Sequence, residues 1–105
     1  MSYHLDEYQV QASELRLPSA TPDYAVLGLV GEVGELFGLM AKAVRDGRKF
    51  DHEQNVKKEL GDILWFVSAI AEDNGFTLEE IARSNINKLQ DRKSRNVLQG
   101  SGDNR

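Results

Sequence analysis

The run from Tyr24 to Ala41 limits what this chain can become, because it is apolar or glycine throughout except for Glu32 and Glu35. Residues three apart on a helix are surface neighbours, so the two carboxylates project side by side. Leu27, Val30, Phe37, Ala41 and Val44 cover much of the remaining circumference. A helix apolar nearly all round is a buried helix. Burying one ionised carboxylate is unfavourable unless it is paired or holds a metal, and a second beside it adds like-charge repulsion. The stretch therefore calls for a cationic partner.

Its glycines sharpen the point. With Gly28 at zero and about 100° per residue, Gly31, Gly34 and Gly38 fall near 300°, 240° and 280°, with Glu35 near 340° and Glu32 near 40°. Each interior glycine weakens a helix by roughly 1 kcal/mol relative to alanine. Two reasons for the glycine side stand open: close helix packing, or room beside the carboxylates for ions and a ligand.

At 105 residues the chain is one domain, with too small a core to cover such a helix unaided, so a homodimer or homotetramer is expected. The absence of Cys excludes a disulfide framework and a thiolate metal site. A net charge of -4 and a pI near 5.1 argue against a nucleic-acid duplex or an anionic membrane as partner. The first residues carry neither a basic region nor an apolar run, so no secretory signal is expected and a cytoplasmic location fits. Gly34 and Gly38 are spaced like a transmembrane dimer motif, but two central Glu would each cost about 2.5 kcal/mol or more in a bilayer.

The rest of the chain reads as helix. Leu5, Tyr8, Ala12 and Leu15 mark one stripe of a first helix over 5–17, ended by Pro18. Thr21 and Pro22 are a good N-cap and first position for the central helix, which should close near Gly47. Asp51 with Gln54 caps a third helix that stops at Asn74 and Gly75, and Thr77 with Glu80 opens a fourth reaching about Lys93. The class is an all-α, four-helix bundle, with the domain over 1–99 and a tail over 100–105 that only another chain would order.

The third helix repeats the peculiarity of the second. Between Leu60 and Ala71 the one charge is Asp62, three residues after Glu59. In an antiparallel hairpin, facing residues share a midpoint; Glu32 with Asp62 and Glu35 with Glu59 both centre on Gly47, inside the expected turn. All four carboxylates can converge between two packed helices. Oxygen ligands without His or Cys suit Mg2+ or Mn2+. The competing reading is structural salt bridges to Lys or Arg of other helices. A di-iron bundle would need Glu-x-x-His, and His4 and His52 lie outside both motifs. On the fourth helix Asn85 and Arg92 fall on the apolar stripe of Leu78, Ile81, Ala82 and Leu89, with Lys88 at its edge. Such cations either neutralise the acids or, facing a carboxylate-held metal, grip a polyphosphate.

Glu32-x-x-Glu35, Glu59-x-x-Asp62 and Asn85-x-x-Lys88-x-x-x-Arg92, in that order, resemble the MazG-like branch of the all-α nucleoside triphosphate pyrophosphohydrolases, relatives of the dimeric dUTPases and the dCTPases. The likeness extends from Leu5-Asp-Glu-Tyr-Gln9 to the closing Gly-Ser-Gly-Asp-Asn-Arg. It implies that Glu32, Glu35, Glu59 and Asp62 bind Mg2+, with Mn2+ as a possible substitute, that Glu32 or Glu35 serves as base, and that Asn85, Lys88 and Arg92 bind substrate. The implied reaction cleaves a nucleoside triphosphate between its α and β phosphates, giving the monophosphate and pyrophosphate. Some members carry a Lys four residues before the second acidic motif; here that position is Asn55, and Lys58 is a candidate replacement. Phe66, Tyr8 and Gln9 are candidates for base contacts. Two other functions stay open: a metal-stabilised helical interaction module without turnover, and a pyrophosphohydrolase for an alarmone or non-nucleotide diphosphate.

Overall fold

The computed structural model describes residues 2–103 and contains four α-helices and no strand among them. They are α1 (Leu5–Glu14), α2 (Pro22–Arg45), α3 (Lys58–Asp73) and α4 (Leu78–Ser94). A π-helical turn, His52–Lys57, runs directly into α3. The expected starts hold. Thr21 accepts from the Tyr24 N–H, Asp51 from Gln54, and Thr77 and Glu80 form a complete capping box. Two boundaries differ. Asp51 caps the π-helical turn rather than an α-helix, and α1 ends at Glu14, ahead of Pro18, whose ring disfavours helical geometry at the residue before it.

The α2–α3 hairpin is the centre of the fold, and its register agrees with a midpoint at Gly47. Ala25, Phe66 and Ala69 form the core cluster, joined by Leu29, Trp65 and Ile70 at its edge. One edge of the Phe66 ring lies against Gly28, where an added Cβ would clash with its Cε1 and Cζ. That glycine is required for close packing. The other three on this helix are not: a Cβ at Gly31, Gly34 or Gly38 would meet nothing within 4 Å.

Polar clamps fix the remaining elements. Arg16 donates to both carboxylate oxygens of Asp73 at 2.9 Å and to the Ala20 carbonyl at 2.8 Å, tying the α1–α2 connection to the end of α3. The Gln9 side chain donates to the Phe76 carbonyl and accepts from the Leu78 N–H, and Asp6 accepts from the Glu79 N–H. These bonds pin the start of α4 to α1, and α4 packs chiefly there.

One expectation fails within the single chain. The outer face of α2 is not buried: Leu27, Val30, Phe37 and Val44 are 60 to 82 % exposed. The helix is also long and apolar enough to cross a membrane by length and composition alone. Its inner face is nevertheless committed to α3, and its middle carries two carboxylates.

The contact at Gly28 can be tested by overpacking. Gly28→Ala should destabilise the fold by about 1–3 kcal/mol in urea denaturation, and adding Phe66→Leu should recover part of the loss. An unchanged midpoint for Gly28→Ala would remove this contact from the core.

Candidate active site

The inner stripe of α2 advances in steps of three and four through Ala25, Leu29, Glu32, Leu36, Leu39 and Ala43, which are buried or half-buried. Glu32 therefore points at α3. There Glu59 and Asp62, one turn apart, face it, and one oxygen from each of the three acids lies within 4.8 Å of the others. Glu59 is buried, Glu32 half-buried and Asp62 exposed, so the cluster is closed on one side and open on the other.

Glu35 stands outside this triad. It is exposed, about 60° around the helix from Glu32, and the buried position at that level belongs to Leu36. Its charge still reaches Glu32. The facing pair is thus Glu32 with Glu59 and Asp62 together, rather than two separate pairs, because side chains one helical turn apart flank whatever projects between them.

Two oxygens, Glu32 Oε2 and Glu59 Oε2, are fully buried without a hydrogen-bond donor. Among the described residues no Lys or Arg forms an ion pair with any of the four acids. Structural salt bridges therefore do not account for the cluster. The carboxyl of Glu32 is pushed up to about 7, first by the hydrogen bond it makes to Glu59 when protonated, then by burial, then by the charges of Asp62, Glu35 and Glu59. A cation held by all three acids would satisfy both orphaned oxygens and replace that proton. The donor set is oxygen alone, which fits a hard divalent ion.

Other residues fall into place around this centre. Tyr8 of α1 is half-buried, and its phenol is held above the usual range by burial first, then by Tyr3 and Asp62, which puts it at the rim. Phe66 is core, ringed by Tyr24 and Trp65 with centroids 5.7 and 5.2 Å away, and is not available to stack on a base. Gln9 is likewise spent on α4. Lys58 is exposed and Asn55 half-buried.

Asn85 and Lys88 line a groove of about 460 Å³ along α4, together with Phe76, Glu80, Ile81 and Ser84. Lys88 and Arg92 do not neutralise the acidic cluster. Their partner is the chain's own tail: Arg92 Nη2 donates to the Asp103 carbonyl at 2.6 Å, and Lys88 Nζ to the Asp103 carboxylate at 3.3 Å. Sequence reasoning missed Asp103, although it is the one acid among the last six residues. The tail up to Asp103 lies against α4 of its own chain; Asn104 and Arg105 lie outside the described residues.

A helical hairpin that presents an oxygen-only acidic triad fits a centre for a hard divalent ion in an all-α fold. Residues 20–97 match the MazG nucleotide pyrophosphohydrolase domain. The chain belongs to the MazG nucleotide pyrophosphohydrolase family. It is also similar to the Gene 37 protein of Mycobacterium phage L5, 38% identical over 97% of this chain and 99% of that protein. No solved structure matches it.

The raised carboxyl has a thermodynamic consequence. An unfolded Glu titrates near 4.3, so protonation of Glu32 stabilises the metal-free fold fully below about pH 4.3. That stabilisation is lost as the pH rises through about 7. The melting temperature of the metal-free protein should therefore fall between about pH 5 and about pH 8, and Glu32→Gln should flatten the fall. A wild-type profile already flat across that window would contradict the assignment.

Proposed function

We propose that this chain is a Mg2+-dependent nucleoside triphosphate pyrophosphohydrolase that cleaves between the α and β phosphates and releases the monophosphate and pyrophosphate. The observation that carries the reading is the pair of buried, partnerless carboxylate oxygens beside an exposed third carboxylate. A closed structural site would bury all its ligands; here Asp62 leaves one side open to a substrate.

Glu32, Glu59 and Asp62 hold the ion, with Mn2+ a suitable substitute. When bound, such an ion draws charge from phosphate oxygens and lowers the cost of deprotonating water. Glu35, exposed and outside the triad, is the base: its carboxylate orients the attacking water and takes one of its protons. The hydroxyl goes to phosphorus as the bridging P–O bond breaks. Lys88 and Arg92 hold the phosphates, sharing the negative charge that builds on them. Asn85, exposed in the groove beside Lys88, offers an amide to the sugar or base.

A second copy of the chain covers the outer face of α2. The radius of gyration is 16.8 Å, where a compact chain of this length has about 13 Å. The accessible surface is 7938 Å², where a folded monomer of this mass exposes about 5,900 Å². That excess of about 2,000 Å² exceeds the roughly 800 Å² that one partner buries in an ordinary stable interface. The empty space beside Gly31, Gly34 and Gly38 lets another helix approach closely.

Product analysis tests the chemistry. With Mg2+ and a panel of nucleoside triphosphates, the protein should yield pyrophosphate and monophosphate; orthophosphate would point to a different reaction. Glu59→Ala and Asp62→Ala should each lower turnover by at least about a thousandfold, equal to ~4 kcal/mol, while remaining helical. Full turnover in both would remove them from the site. Sedimentation at micromolar concentration should show a dimer or tetramer, and a monomer would refute the covered face.

A further inference from the structure

The described tail is built to return. After α4, Asn96 takes the left-handed conformation at φ 60°, with the Val97 N–H on the Arg92 carbonyl at 2.8 Å and the Asn96 N–H on the Lys93 carbonyl at 3.1 Å. These paired bonds form a Schellman closure, which reverses the chain. A second left-handed residue, Gly102 at φ 86°, then brings Asp103 back onto the helix. Arg92, only 4 % exposed, is covered there.

The contacts of Arg92 with the tail all use one nitrogen. Nη2 meets the Gly102 carbonyl at 3.5 Å, the Asp103 carbonyl at 2.6 Å and the Asp103 carboxylate at 3.4 Å. A guanidinium has two edges that can grip a phosphate bidentately, Nη1 with Nη2 and Nε with Nη2, and both include Nη2. The tail therefore obstructs both edges while its carboxylate occupies Lys88. Lys88 also borders the 460 Å³ groove of α4, so space for a larger anion adjoins the same contacts.

We infer that the C-terminal segment Gly100–Asp103 is an internal competitor of the substrate polyphosphate: Asp103 and the neighbouring carbonyls fill the phosphate contacts of Lys88 and Arg92, and the triphosphate displaces them on binding. This rests on the phosphate-binding role of those two cations. The competitor is weak by construction, because the Asp103 side chain is 83 % exposed and its ion pairs are screened by solvent. It sets a threshold for substrate rather than blocking the site.

The test uses full-length protein and inorganic tripolyphosphate with Mg2+, with affinity measured by calorimetry. Asp103→Ala removes the carboxylate. Gly102→Ala strains the turn without a steric clash, since an added Cβ meets nothing within 4 Å. The double variant should bind tripolyphosphate about threefold or more tightly than wild type, a modest gain in keeping with solvent-screened ion pairs. Lys88→Ala, at a part-exposed position, should bind it more weakly. If Lys88→Ala binds more weakly but the double variant binds equally or less tightly than wild type, the competitor is overturned and the phosphate role stands. If Lys88→Ala binds as wild type does, the phosphate role itself fails, and the competitor with it.

Discussion

Glu32 and Glu59 bring two carboxylates together with one oxygen of each buried and with no basic side chain of the described residues paired to either. Such an arrangement is unfavourable in isolation, because desolvation and repulsion act in the same direction and neither orphaned oxygen has a donor. The metal-free chain eases it by holding a proton, which is why the Glu32 carboxyl is raised to about 7. Much else in the structure serves to hold these groups in place. The Gly28–Phe66 contact draws α2 onto α3 one turn from Glu32, and the Arg16–Asp73 clamp braces the far end of α3.

The two faces of α2 then have different purposes. Its inner stripe is set by packing on α3, and only Gly28 there is required to be small. Its outer face is apolar and, around Gly31, Gly34 and Gly38, bare to the backbone. Of the two readings of the glycine side, close packing accounts for Gly28, while the space beside the other three glycines is simply open. With an acidic centre on one side of its longest helix and an uncovered apolar face on the other, the chain is more open than a compact fold of its length.

Helix starts were legible from the chain because caps are local: Thr21, Asp51 and Thr77 each act on an N–H three residues on. The hairpin register was legible because one turn at Gly47 fixes every facing pair, as Gly28 with Phe66 shows. Less local features were not. The division among the acids depends on which side of the stripe each falls, and a period of 3.6 leaves Glu35 on the flank while Leu36 turns inward. The π-helical turn before α3 has no sequence signature that distinguishes it from an α-helical start. The partner of Lys88 and Arg92 could not be read from periodicity, since it comes from a return of the chain governed by two left-handed residues, Asn96 and Gly102.

The central claim is that a divalent ion takes the place of the proton between Glu32 and Glu59. Calorimetric titration of Mn2+ into the metal-free protein, repeated in buffers of different ionisation enthalpy, measures the protons released per ion bound. The account predicts saturable binding that releases about one proton near pH 6 and almost none above about pH 8, with the release abolished in Glu32→Gln. Absence of saturable binding to the wild-type protein, or binding without proton release at pH 6, would contradict it.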